Sequence, residues 1–161
     1  MKRINDIFLV KLLTVICLLA VFAAGFFVFG KKQVTEEFIP PSFDDSAVSG
    51  VPSVSDDLWK ELETDAFTVA VCNRIYVTGD YARVIFYNSS GNDCLLKLRM
   101  LDSDGSVIAE TGLIKPDEYI FDVYLQKKPY DDGKVLLKIM AYEPDTYYSA
   151  GAVSVNADIF V

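Results

Sequence analysis

None of the 161 residues is histidine. The chain therefore has no imidazole to serve as general base, to activate a serine or cysteine, or to ligate zinc or haem. The carboxylates Glu110, Asp117 and Glu118 lie close in sequence, but acid-base chemistry needs two of them facing each other across a cleft. Nothing in their spacing provides that, and the pattern reads as non-catalytic. Asp102-Ser103-Asp104-Gly105 has part of the composition of a calcium loop. Aligned on Gly105, its first and last ligand positions fall on Met100 and Thr111, so the ligand set fails and a hairpin turn is the better account. Asp131-Asp132-Gly133 reads as a turn for the same reason. No metal or cofactor site is expected.

Two thiols, Cys72 and Cys94, lie outside the apolar N-terminal run. If both face one core in an oxidising exterior, they close a 23-residue loop with a stabilisation of about 3 kcal/mol. Otherwise they are two small buried hydrophobes. Asn88-Ser89-Ser90 satisfies the N-glycosylation pattern in a predicted turn. Tyr142, Tyr147 and Tyr148, beside Pro144 and Asp145, form an aromatic cluster, and Trp59 is the one tryptophan. Such side chains stack on sugar rings or anchor a protein partner when exposed, and pack the edge of a tyrosine-rich sandwich when they are not. These four residues are the candidate binding surface.

The elements that must position these residues fall into three segments. Residues 12–30 read LLTVICLLAVFAAGFFVFG, 19 residues without a charge, and Phe8, Leu9 and Val10 extend the run past Lys11. At about 1.5 Å per residue this spans roughly 28 Å, a bilayer's hydrocarbon thickness, so a membrane helix is expected, with residues 8–30 in contact with lipid. A cleaved signal peptide fits less well, because its apolar region is usually about 7–15 residues long. Lys2, Arg3 and Lys11 precede the run and Lys31 and Lys32 follow it, which favours a cytoplasmic N-terminus and an exterior C-terminal part in the cell membrane. Residues 1–32 carry five basic and one acidic side chain, net +4, while residues 33–161 carry ten and 22, net -12. The acidic exterior argues against nucleic acid, which needs a basic face.

Residues 33–66 are rich in Pro, Ser, Gly and acid and show no sustained period up to about residue 55, so they read as an extended linker. A short helix is expected at 56–64, started by Ser55 or Asp56 and carrying Leu58, Trp59 and Leu62 on one face. Residues 67–161 switch to short Val, Ile, Leu, Tyr and Phe runs between turn signals. Strands are expected near 67–77, 81–88, 94–101, 106–113, 119–126, 134–142 and 151–161. Alternation is clear where Cys94, Leu96, Leu98 and Met100 oppose Lys97 and Arg99, and where Val135, Leu137, Ile139 and Ala141 oppose Lys138 and Tyr142. The expected fold is all-β, a seven-stranded antiparallel sandwich of immunoglobulin or fibronectin type.

Thr111-Gly112-Leu113-Ile114-Lys115-Pro116 and the later Ala141-Tyr142-Glu143-Pro144-Asp145-Thr146 resemble the paired motifs of small membrane-tethered surface proteins of Gram-positive gut bacteria. Asp117 stands where those proteins usually have glycine. The resemblance covers about 60 residues of the chain, implies an immunoglobulin-like sandwich and implies no assigned activity. Taken together, the expected function is that of a single-pass, membrane-anchored extracellular module for protein binding, adhesion or accessory-subunit duty. The alternative is a cell-wall or carbohydrate-binding module using the exposed aromatics.

Overall fold

The structure, a computed structural model, describes residues 38–54, 59–129 and 131–161. The expected anchor at 12–30, the tail before it and residues 33–37 of the expected linker lie outside the described residues. Among the described residues no helix is long and apolar enough to cross a membrane.

From Pro40 to Val161 the chain forms one unit, and it is all-β. Short strands β1 (Val48–Ser49) and β2 (Trp59–Glu63) precede β3 (Thr68–Cys72), β4 (Arg74–Thr78) and β5 (Tyr81–Asn88). Then follow β6 (Leu95–Leu101), β7 (Val107–Glu110), β8 (Glu118–Tyr124), β9 (Gly133–Tyr142) and β10 (Ser149–Phe160). They form one sheet in the order β1-β8-β5-β4-β10-β9-β6-β7, with β3 also on β5 and β2 on β3. The sheet curls until its ends approach: Ala109 bridges Leu125, and the Gln126 amide donates to the Ile108 carbonyl at 2.8 Å.

The core lies inside the curl. The alternating residues Leu96, Leu98 and Met100 of β6 and Val135, Leu137, Ile139 and Ala141 of β9 are buried there with Ile75, Phe86, Ile108 and Ile159. Period-two alternation sends Lys97, Arg99 and Lys138 to the other side, where Lys97 and Arg99 pair with Glu110.

Four features differ from the sequence pattern. The expected strand at 67–77 is two strands, broken at Asn73, so that residues 67–161 contain eight strands instead of seven. At the break the Cys72 thiol donates to the Arg74 carbonyl at 2.8 Å, and the Asp158 amide donates to the Asn73 carbonyl at 2.9 Å. The kink lets β3 pair with β5 while β4 reaches β10. That β4–β10 pairing is parallel, with Ile159 beside Ile75 and Phe160 beside Tyr76, so the sheet is not wholly antiparallel.

The expected helix at 56–64 gives way, over its described part, to strand β2, in register with β3 from Trp59 opposite Cys72 to Glu63 opposite Thr68. The open backbone edge of β3 outweighs a weak local helix propensity, and Leu62 packs against the core.

The linker also behaves differently. Residues 40–50 are bound to the domain as a strap: the Leu113 amide donates to the Ser42 carbonyl at 2.9 Å, the Asp44 amide donates to the Leu113 carbonyl at 2.9 Å, and Gly50 donates to Asp117 at 2.7 Å. β1 then pairs with β8. The strap can lie this close because residue 112 has no side chain: a Cβ there would sit 2.5 Å from the Asp44 nitrogen. Backbone bonding of this kind needs no hydrophobic period, which is why the segment reads as unstructured.

Candidate functional site

The sequence-predicted aromatics do not all gather. Trp59 opens β2, and its ring meets Tyr87 with centroids 5.9 Å apart. Tyr142 ends β9 half-buried, its hydroxyl 3.7 Å from the Met140 sulfur. Tyr147 and Tyr148 lie in the β9–β10 loop, where the Tyr147 amide donates to the Glu143 carbonyl and the Glu143 amide donates to the Tyr148 carbonyl, both at 2.9 Å. Of the four, Tyr148 alone is broadly exposed. Cys72 and Cys94 are both free, buried thiols in the structure. Cys94 belongs to the core cluster along with Val69 and Val71, and alternation along β3 turns Cys72 to the opposite side, opposite Trp59. Burial pushes both thiols up, and the Asp93 charge adds to this at Cys94, while hydrogen bonding and charge at Arg74 pull Cys72 partly back.

A different set of aromatics does converge. Two cross-strand rows run over the outer side of β10, β4, β5 and β8. In the first, Phe160 lies beside Tyr76, Tyr76 opposite Arg83 and Arg83 opposite Asp122. In the second, Thr78 lies opposite Tyr81 and Tyr81 opposite Tyr124. Directly paired residues project to the same side of a sheet. The rings of Tyr76 and Phe160 are stacked at 5.2 Å, and those of Tyr81 and Tyr124 meet edge-on at 5.7 Å. Tyr76, Tyr81 and Tyr124 are each about half exposed, at 49%, 54% and 57%. The recess between the rows has a volume of about 730 Å³ and is lined by Ser46, Tyr76, Thr78, Tyr81, Arg83, Phe121 and Asp122.

In the recess Arg83 grips Asp122 with two nitrogens, Nε to Oδ1 at 3.0 Å and Nη2 to Oδ2 at 3.3 Å. The Asp122 hydrogen bond and charge push the Arg83 guanidinium further up, and the two side chains form a salt bridge at 3.0 Å. Ser46 reaches the recess from the strap, whose local turn is fixed by the Asp44 carboxylate accepting from the Ser46 amide at 3.0 Å and hydroxyl at 2.6 Å. Chemically the face offers flat apolar rings, phenol and aliphatic hydroxyls, and one balanced donor-acceptor pair.

Other polar clusters have structural explanations. Asn88 is fully buried, donating to the carbonyls of Cys94 at 2.9 Å and Ile114 at 3.1 Å and accepting from Asn92 at 2.6 Å. Its amide nitrogen is therefore inaccessible to glycosylation in the folded domain. Residues 102–105 form the turn between β6 and β7, and Lys127 stands 3.7 Å from Asp102 and 3.8 Å from Asp104, supplying the cation those carboxylates face. Among the described residues no group of three ligating side chains could hold a metal. Burial pushes the Glu110 carboxyl up, but hydrogen bonds and charge from Lys97 and Arg99 together outweigh it and hold it below its usual value.

The residues of the aromatic face carry a partial signal in sequence. Arg74, Tyr76 and Thr78 alternate with Ile75 and Val77, and Tyr81 and Arg83 flank Ala82, which marks each as outward-facing. That Phe160 joins them follows only from the parallel β4–β10 pairing. In comparisons with known proteins, no family model and no curated sequence matches this chain.

Proposed function

We propose that the chain is a single-pass membrane protein that displays an immunoglobulin-like β-sandwich outside the cell as an adhesion or accessory binding module, with the aromatic face as its contact surface. The observation that carries this reading is the gathering of Tyr76, Tyr81, Tyr124 and Phe160, all at least 37% exposed, on one sheet face around a single ion pair. Exposed aromatics beside arginine are the composition of binding hot spots. The all-β sheet, curled so that its two ends approach around one core, supports the sandwich. The uncharged run at 12–30 and its flanking basic residues support the anchor and its orientation.

Protease shaving of intact cells expressing the chain with an epitope at each end tests the display. The C-terminal epitope is expected to be lost from intact cells, while the N-terminal epitope stays protected in the membrane fraction. A C-terminal epitope that is cut only after permeabilisation overturns the reading.

A further inference from the structure

Resting on that reading, we infer that the recess between Tyr76, Tyr81 and the Arg83–Asp122 pair binds a neutral oligosaccharide. Three properties of the face point to this chemistry. Its size is that of a site for a few sugar rings: about 730 Å³ lies within the range of about 300–1,000 Å³ typical of small-ligand sites.

Its polarity is the second property. Sugar rings are amphipathic, with faces made of C–H groups and rims made of hydroxyls. The C–H faces need exposed aromatic carbon, which Tyr76 and Tyr81 provide in the recess and Phe160, stacked on Tyr76, provides beside it. The hydroxyls need donors and acceptors at fixed positions. Arg83 and Asp122 hold each other by two hydrogen bonds, so their remaining donor and acceptor sites are presented in a set geometry, and vicinal hydroxyls can bridge the two. The hydroxyls of Thr78 and Ser46 stand on the same rim.

Its charge is the third. The recess contains one cation and one anion, in contact, and the ion pair at the adjoining β4–β5 turn, Lys128 with Asp80 at 2.7 Å, is balanced as well. Around this neutral spot the segment from 33 to 161 carries net -12. Among the described residues that line the recess, Arg83 is the one cation and it is already paired, so an anionic ligand would enter a negative field with no free cation inside the recess, which favours an uncharged one. The stacked pair Tyr76–Phe160 and the edge-on pair Tyr81–Tyr124 brace each other on four strands, so little ordering is required on binding.

Saturation-transfer NMR and calorimetry on the full chain in lipid nanodiscs, free of glycoside detergent, test the assignment with cellohexaose, xylohexaose and mannohexaose as probes. At least one is expected to bind, and the Tyr76→Ala/Tyr81→Ala double variant to weaken it by about tenfold or more. Arg83→Lys, which keeps the charge beside Asp122 but loses the fork, is expected to weaken binding as well without changing the thermal midpoint. Tyr148→Ala, in the remote loop, is expected to leave binding unchanged. Binding to none of the three probes, binding that survives the double variant, or a preference for a heparin fragment overturns the inference. Each of these results leaves the shaving result standing, so failure of the ligand assignment is separable from failure of the display reading.

Discussion

The two halves of strand β5 put their side chains to opposite uses. In the first half, Tyr81 and Arg83 are exposed and Ala82 is buried, the alternation of a strand with one wet face. In the second half, Val84, Ile85, Phe86, Tyr87 and Asn88 are buried in succession. The change falls at a bulge: the register with β8 shifts between Arg83 and Phe86, and Ile85 has φ 44°, a left-handed backbone that β-branched residues rarely adopt. Neighbours change there too, since the first half pairs with β4 and the second with β3. The polar residue of each half shows the consequence. Arg83 makes an ion pair in the open, and Asn88 makes hydrogen bonds in the dark, so one is available to a ligand and the other is committed to the fold.

The sharpest way to separate the halves is Asn88→Ala. It strands the buried Cys94 carbonyl, while the Ile114 carbonyl keeps the Leu96 amide and the Asn92 amide keeps the Thr68 carbonyl. The expected loss in denaturant unfolding is toward the upper end of the range of about 1–3 kcal/mol for an unsatisfied buried group, since the emptied site is fully buried. A loss below about 1 kcal/mol would mean that water replaces the network and that the second half is not the structural one.

A smaller effect is expected at the strap that walls the recess. Gly112→Ala forces Asp44 away, at a cost of about 1–3 kcal/mol for overpacking, and breaks the 2.7 Å bond from the Gly112 amide to the Asp44 carboxylate. Hydrogen exchange at the Asp44 and Leu113 amides should accelerate ahead of global unfolding. Unchanged exchange there would show that the strap is held elsewhere.

The least effect on stability is expected from Arg83→Ala. Its ion pair is exposed, 59% at Arg83 and 38% at Asp122, and such pairs contribute under about 1 kcal/mol. A destabilisation matching that of Asn88→Ala would erase the distinction between the two halves.

Much of this architecture is legible in the residues themselves. The alternation in β6 and β9 places Leu96, Leu98, Leu137 and Ile139 inward without reference to any other strand, and Gly105 with Asp102 marks its turn. The strap is illegible because its attachment is backbone to backbone: what permits it is a missing side chain at Gly112, 68 residues away from Asp44. Strand β2 is illegible because Trp59 and Leu62 fit one helical face as well as they fit a strand, and the edge of β3 breaks the tie.

By itself, the sequence determined that the chain has no histidine chemistry, that its apolar and acidic parts are segregated, and that its C-terminal part is β. These follow from residue type and from a period of two, which are properties of neighbours along the chain. Only the tertiary structure decided which tyrosines stand together. Phe160 and Tyr76 are 84 positions apart in sequence and meet because β10 runs parallel to β4, a pairing set by the kink at Asn73 and by the burial of Ile75 against Ile159. Burial of the inner face is the dominant free energy in fixing that register, and the outer face, with its aromatic rows, follows from it.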